Sequence, residues 1–385
     1  MTEFLPGNAI KLLENGGDFF PALQEAIDGA QKEIFLETYI FENDATGSLI
    51  AAALRRAALR GVAVRLLVDG FGGRQFVRTL MSEMIPDGVG VMIYRRELRM
   101  LALRRHRLRR MHRKLAVIDG AVAFVGGINI VDDLQGGLLE RPRFDYAVRV
   151  EGPLLAPILE SMHRLWRLVS WARVGRRLHD PLLVPAKTGP AGTVRAAFVT
   201  RDNLRRRRDI EDAYLDAIAG ARTEVLIACA YFFPGRRFRQ ALVDAAKRGV
   251  RVSLLLQGVS DHPMLCHATR ALYPFFLGRG IHLFEYHDSH LHAKVAVVDR
   301  RWATVGSSNI DPFSLLLARE ANVVIDDVLF ATELDASLQR AIASGARELR
   351  REDWRRLPTL RRVTSWISYQ LVRLAIGVAG YGGKH

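Results

Sequence analysis

EAIDGAQKEIFLETYIF (Glu25–Phe41) followed by AALRGVAVRLLVDG (Ala57–Gly70) returns later in the chain as DAIAGARTEVLIACAYFF (Asp216–Phe233) followed by AAKRGVRVSLLLQG (Ala245–Gly258). Each opening segment reads as the end of an amphipathic helix, a turn of small residues and an apolar β-rich run. Each closing segment reads as a helix, a glycine at its C-terminal cap (Gly61, Gly249) and a buried strand. Strand, helix and strand joined by short turns make a βαβ unit and imply a parallel sheet. Two copies predict two consecutive α/β domains. Between them VGRRLHDPLLVPAKTGPAGT, Val174–Thr193, carries three prolines and three glycines that interrupt regular periodicity. The expected division is residues 1–180, residues 181–362 and a C-terminal tail, 363–385.

Composition agrees with a globular chain of this size. The 385 residues are 49% hydrophobic and 25% charged, and a chain this long exceeds what one hydrophobic core usually supports. A formal charge of +15 points to an anionic partner, either nucleic acid or an anionic membrane surface. Cys229 and Cys266 are too few for a disulfide framework and read as buried small apolar residues in a reducing compartment. The start, MTEFLPGNAIKLLENGG, lacks the basic and apolar regions of a signal peptide. No uncharged stretch reaches the roughly 18–20 residues of a membrane-spanning helix.

A third repeated block carries chemistry. HRKLAVIDGAVAFVGGIN runs from His112 to Asn129 and HAKVAVVDRRWATVGSSN from His292 to Asn309. Both place Lys two, Asp seven, Gly fourteen and Asn seventeen residues after the His. On a strand, His112 and Lys114 leave the same face, and so do His292 and Lys294, while Arg113 or Ala293 points away. The apolar run after each Asp predicts a second strand whose end delivers Gly127 or Ser307, and Asn129 or Asn309, beside the His and Lys. Small residues there would let backbone N–H groups approach an anion.

This set suits a phosphodiester. One imidazole can attack phosphorus and form a phosphohistidine, while the other protonates the leaving alkoxide and then deprotonates the second nucleophile. Lys114, Lys294 and the two asparagines would bind non-bridging oxygens. Asp119 and Asp299 complete the predicted catalytic set. A carboxylate on the other ring nitrogen would fix each imidazole tautomer, and Asp145 and Glu320, each opening a β-like run after its motif, are the candidates. Neither metal nor organic cofactor is expected. HDSHLH (His287–His292) clusters three histidines, but only His292 has a counterpart in the first half, so His287 and His290 read as rim residues.

These residues resemble the phospholipase D superfamily, whose signature is this duplicated HKD motif, and most closely its bacterial cardiolipin synthases. The resemblance extends over NAIKLLENGGDFFPALQEAIDGAQKEIFLETYIF, RGVAVRLLVDGFG, RRMHRKLAVIDGAVAFVGGIN and FDYAVRVEGP. It implies two α/β/α sandwich domains about a pseudo-twofold axis with one active site at the seam. It also implies that His112 is the nucleophile, that His292 is the acid and that Asp145 and Glu320 orient them. The implied reaction transfers a phosphatidyl group to the headgroup of phosphatidylglycerol, with phosphatidylglycerol or phosphatidylethanolamine as donor. The alternatives are phospholipase D hydrolysis and a nuclease of the same superfamily.

Two segments favour lipid over nucleic acid. RRELRMLALRRHRLRRMH (Arg95–His112) interleaves leucines with arginines, which suits an anionic membrane surface. The tail from Val363 to Gly380 is apolar and carries Trp366, Tyr369 and Arg373, which predicts an interfacial helix and not a span. The expected location is the cytoplasmic face of a bacterial inner membrane, held peripherally.

Overall fold

The computed structural model describes residues 3–95, 109–134, 141–174, 184–202, 206–259, 263–311, 318–352 and 359–376. Most of the arginine-rich stretch after Arg95, part of the linker after Val174 and the last residues of the tail lie outside them. The first half contributes β1 (Leu5–Glu14), β2 (Glu33–Thr38), β3 (Ala63–Asp69), β4 (Gly90–Tyr94), β5 (Arg110–Met111), β6 (Lys114–Ile118), β7 (Val122–Gly126) and β8 (Tyr146–Glu151). The second contributes β9 (Val194–Arg201), β10 (Glu224–Cys229), β11 (Arg251–Gln257), β12 (His282–Tyr286), β13 (Lys294–Val298), β14 (Trp302–Gly306), β15 (Ala318–Asp326) and β16 (Ala346–Leu349).

Both predicted βαβ units form. β2 pairs parallel with β3 across the helix Ala45–Leu59, and β10 pairs parallel with β11 across the helix Arg236–Lys247. Gly61 and Gly249 follow these helices with φ of +91° and +88°, a conformation that a Cβ penalises and glycine does not. The strand order is β16-β12-β11-β10-β13-β14-β15-β9-β1-β8-β7-β6-β2-β3-β4. From the antiparallel β1–β9 pair outward the two sides repeat each other, so the pseudo-twofold passes between these strands.

The half-sheets stack on their inner faces. One apolar cluster takes Leu115, Val125 and Val148 from the first half and Val295, Val305 and Val323 from the second. The helices Leu155–Val174 and Val328–Gly345 enter the same layer through residues such as Met162, Trp166, Leu334 and Leu338. The helices Asn15–Gly29 and Ala45–Leu59 cover the outer face of the first half-sheet, and Asp209–Gly220 and Arg236–Lys247 cover that of the second. Each half is therefore an α/β/α sandwich. Coverage of both faces explains why β2 and β10 are buried at every position, with no polar alternation.

The tail helix, Thr359–Ile376, packs beside the helix Pro263–Arg270. Ser365 and Val372 are buried, and the Tyr369 ring meets Phe233 at 5.2 Å. The opposite face carries Val363, Trp366, Ile367, Leu371 and Leu374, all exposed. Docking on the protein and an outward apolar face, alternatives at the sequence level, coexist in one helix. None of the helices among the described residues is long and apolar enough to cross a membrane.

Candidate active site at the seam

Each motif histidine sits just before a strand and is zipped to the other half of the molecule. Arg110 and Met111 pair with Ala318 and Arg319, and the His112 amide donates to the Arg319 carbonyl at 2.9 Å. On the other side Phe144 bridges Leu291, and the His292 amide donates to the Phe144 carbonyl at 2.8 Å. The residue after each carbonyl is a carboxylate, so the pairing is crossed. His112 Nδ1 lies 3.1 Å from Glu320 Oε2, and His292 Nδ1 lies 2.5 Å from Asp145 Oδ2. Each imidazole is oriented by the opposite half. A carboxylate accepts only from Nδ1–H, which leaves the Nε2 lone pair free for chemistry.

The lysines follow on the same strand face as their histidines. Lys114 Nζ donates to the His112 carbonyl at 2.5 Å, Lys294 Nζ donates to that of His292, and Lys294 Nζ lies 3.6 Å from Asp145 Oδ2. The intervening residues leave the other face of the strand, as expected. Arg113 forms a buried ion pair with Glu37 and donates to Ser161 Oγ at 2.8 Å, whereas Ala293 is simply packed in the apolar layer. Burial pushes both imidazoles towards the neutral form and pulls Lys114 down to about 7. Asp145 is held below the usual carboxylate range: Lys294 and His292 outweigh its burial, the largest opposing effect.

Asn129 and Asn309 are buried at the same site. Their side-chain oxygens accept from the amides of Ile40 (3.2 Å) and Tyr231 (3.4 Å), which pins the loops after β2 and β10 and leaves the amide nitrogens as donors.

Four residues of the predicted set do other work. Asp119 and Asp299 stand at the far ends of β6 and β13, about 16 Å along the strand from the lysines at ~3.3 Å per residue. Asp119 accepts from the amides of Gln31, Lys32 and Glu33, and Asp299 accepts from those of Arg222, Thr223 and Glu224. Both adopt φ near +50°. They tie a β-turn to the start of the neighbouring strand and do not reach the seam, because five strand residues separate them from it. The Gly127 amide donates to the Tyr146 carbonyl at 2.9 Å and is spent in the sheet. A Cβ there would lie 2.3 Å from an Asp145 oxygen, so glycine makes room for the carboxylate, not for phosphate. Ser307 Oγ donates to Glu320 Oε2 at 2.5 Å and so holds the carboxylate that orients His112.

Two residues escaped the sequence reading. The Tyr39 ring lies 4.8 Å from the His112 ring and 5.4 Å from Lys114 Nζ. Asp69, wholly buried at the end of β3, accepts from the Met111 amide at 2.9 Å and so anchors the residue before His112; burial raises it to about 6. Both stand in the quoted repeat, but their counterparts are Ala230 and Gln257, so the duplication that exposed the motif hid them.

Two stacked α/β/α halves that supply one His and one Lys each to a common seam, with crossed orienting carboxylates, define a phospholipase D-type enzyme. The sequence profile of the family described as "Cardiolipin synthase, PLD-like domain" matches residues 23–165 and 214–342, and the chain belongs to that family. It is 43% identical to cardiolipin synthase B of Salmonella typhi over 344 residues, 89% of this chain and 82% of that one. It is 42% identical to cardiolipin synthase B of Escherichia coli (strain K12) over the same shares, and 28% identical to a minor cardiolipin synthase of Bacillus subtilis (strain 168) over 94% of this chain and 88% of that one. In fold it is similar to the crystal structure of phosphatidylserine synthase from Haemophilus influenzae Rd KW20, with a TM-score of 0.67, 14% identity, and 97% and 96% of the two chains covered.

Proposed function

We propose that this chain synthesises cardiolipin by phosphatidyl transfer between two phospholipids through a phosphohistidine on His112. The crossed histidine–carboxylate geometry supports this reading most strongly. Neutral His112, with Nδ1–H on Glu320, attacks the donor phosphorus through Nε2. The P–O bond to the headgroup breaks, and the leaving oxygen takes a proton from His292. The bound phosphodiester anion counters burial and favours the imidazolium form of His292. A hydroxyl of the acceptor phosphatidylglycerol then gives its proton back to His292. Its oxygen attacks phosphorus, and the N–P bond to His112 breaks. The remaining N–H donors of Lys114 and Lys294, with the amide nitrogens of Asn129 and Asn309, hold the non-bridging oxygens throughout. Mass spectrometry of lipids from cells expressing the chain should show a cardiolipin increase that a His112→Ala control lacks. No increase, with plasmid cleaved instead, would favour a nuclease.

Turnover in this scheme draws its positive charge from lysine. Activity should therefore persist after exhaustive EDTA treatment, and loss restored by one specific divalent ion would overturn the assignment of Lys114 and Lys294.

The same reading places the enzyme peripherally on the cytoplasmic face of a bacterial inner membrane, with residues 363–385 as its lipid-contacting unit beside halves spanning 1–180 and 181–362. Trp366, Ile367, Leu371 and Leu374 face outward, so burying them in lipid adds about 25 cal/mol per Å² of apolar area, which salt does not screen. Arginine contacts contribute about 1 kcal/mol each, which salt does screen. Trp366→Ser with Leu371→Ser and Leu374→Ser should leave the fold intact and reduce vesicle co-sedimentation at high salt at least tenfold. Equal binding by both forms would remove the tail from the interface.

A further inference from the structure

The two halves of the site repeat one another in backbone, yet each balances the charge of its motif lysine differently. Lys294 Nζ lies 3.6 Å from Asp145 Oδ2, the carboxylate that also orients His292. Lys114 has no such contact: among the described residues no carboxylate oxygen comes within 4 Å of its Nζ, which donates to the His112 carbonyl. The charges that face it are Glu320 on β15, Lys294 on β13, Asp145 before β8 and Asp69 at the end of β3. Glu320 is already engaged, since it accepts from Ser307 Oγ and holds His112 Nδ1. Burial pulls Lys114 down to about 7.

An aromatic ring stands where that carboxylate contact is missing. Tyr39 directly follows β2, and its ring centroid lies 5.4 Å from Lys114 Nζ and 4.8 Å from the centroid of the His112 ring. A cation within about 6 Å of an aromatic centroid is attracted by the negative π face. Burial, to which the charge of Asp69 adds, pushes the phenol up to about 12, so the ring meets the ammonium as a neutral π face and not as a phenolate. Ala230 holds the matching position after β10, where its amide donates to the Ala293 carbonyl at 3.0 Å, between His292 and Lys294. Its methyl group offers a cation no such face. The half with the close lysine–carboxylate contact lacks the ring, and the half with the ring lacks that contact.

We propose that Tyr39 is a positioning residue whose ring keeps Lys114 charged and in place for the phosphate oxygens, the work that Asp145 does for Lys294. The inference rests on the phosphatidyl-transfer reading above, in which Lys114 holds a non-bridging oxygen. A neutral amine at that position would bind the phosphodiester anion weakly, so the ring acts on the reaction through the lysine.

Titration of the lysine itself provides the test. The chain has seven lysines, so in full-length protein made with lysine carrying carbon-13 at Cε, the Lys114 NMR signal is assigned by its loss in Lys114→Arg. Tyr39→Leu, which keeps an apolar side chain without a π face, should lower the Lys114 midpoint by about one pH unit. Tyr39→Phe, which keeps the face and removes the hydroxyl, should shift it by less than about half as much. If a thermal melt shows that the leucine variant is unfolded, Tyr39→pentafluorophenylalanine carries the test, because it keeps the shape of the ring and reverses its charge distribution. In transfer assays on short-chain phosphatidylglycerol, the variant that carries the test should lose several-fold more kcat/KM at about pH 8 than at about pH 6, since ammonium is lost as pH rises through a lowered midpoint. In that folded variant, a midpoint that stays in place or rises, or an equal loss of kcat/KM at both pH values, overturns the role of Tyr39; so does a full shift in Tyr39→Phe. A midpoint that moves as expected, in a protein whose wild-type form makes no cardiolipin, would instead sink the phosphatidyl-transfer reading.

Discussion

Alanine at His112 or at His292 is expected to reduce turnover by a factor on the order of 10⁴ or more, because each half supplies one member of a unit whose parts do not substitute for each other. The two variants should fail differently. His292→Ala keeps the nucleophile and its Glu320 partner, so a donor with a good leaving group should leave a phosphatidyl adduct on His112 that no base helps to resolve. His112→Ala should form no adduct. Acid-quenched peptide mapping by mass spectrometry distinguishes these outcomes, and an adduct on His292 in His112→Ala would reverse the roles. The asymmetry of the site is consistent with the assignment. His292 is backed by Asp145, with Lys294 3.6 Å from that carboxylate, whereas His112 is backed by Glu320, which Ser307 holds.

Crossed pairing makes the second large effect specific. Asp145→Asn and Glu320→Gln each leave an imidazole without the acceptor that fixes its tautomer, a change that costs a factor of about 10⁴ where it has been isolated in a comparable triad. If each carboxylate served the histidine of its own half, Asp145→Asn would mimic His112→Ala. The structure pairs Asp145 with His292, so Asp145→Asn should instead mimic His292→Ala and accumulate the His112 adduct, while Glu320→Gln forms none. Combining Asp145→Asn with His292→Ala should add little beyond the single change, because the two residues act as one unit. Additive losses, or an adduct in Glu320→Gln, would contradict the crossing. Neither substitution changes side-chain volume much, but Asp145→Asn removes the charge beside buried Lys294, so a lowered but cooperative thermal melt is expected alongside the kinetic loss.

Much of this protein was legible from local pattern. Hydrophobic periodicity and the glycines Gly61 and Gly249 marked both βαβ units, because a helix face and a buried strand are written within a few residues of sequence. Strand parity put His112 with Lys114 and His292 with Lys294, and sent Arg113 and Ala293 the other way. The duplication singled out the motif and, through it, Asp145 and Glu320, the carboxylates that lie on the two imidazoles. The invariant spacing also misled in one respect. Asp119 and Asp299 recur in register because each closes a turn onto its neighbouring strand, and a structural requirement duplicates as faithfully as a chemical one.

What the tertiary structure decided are the contacts made across the seam. Glu320 and Asp145 stand 208 and 147 residues from their histidines, and no periodicity carries that pairing. It exists because β1 joins β9 and the half-sheets stack through one apolar layer, which brings the start of β15 to His112 and the start of β8 to His292. The amides of Gly127 and Ser307 are spent within the sheet of their own half, on the carbonyls of Tyr146 and Ala321. Side-chain volume was likewise silent until its surroundings were known: Tyr39 and Ala230 are two aligned letters in a repeat, and only the structure lays the Tyr39 ring 4.8 Å from that of His112. Local sequence specifies which face a side chain leaves; which partner waits on that face depends on how distant strands come together, and that is settled by burial of the apolar layer between the halves.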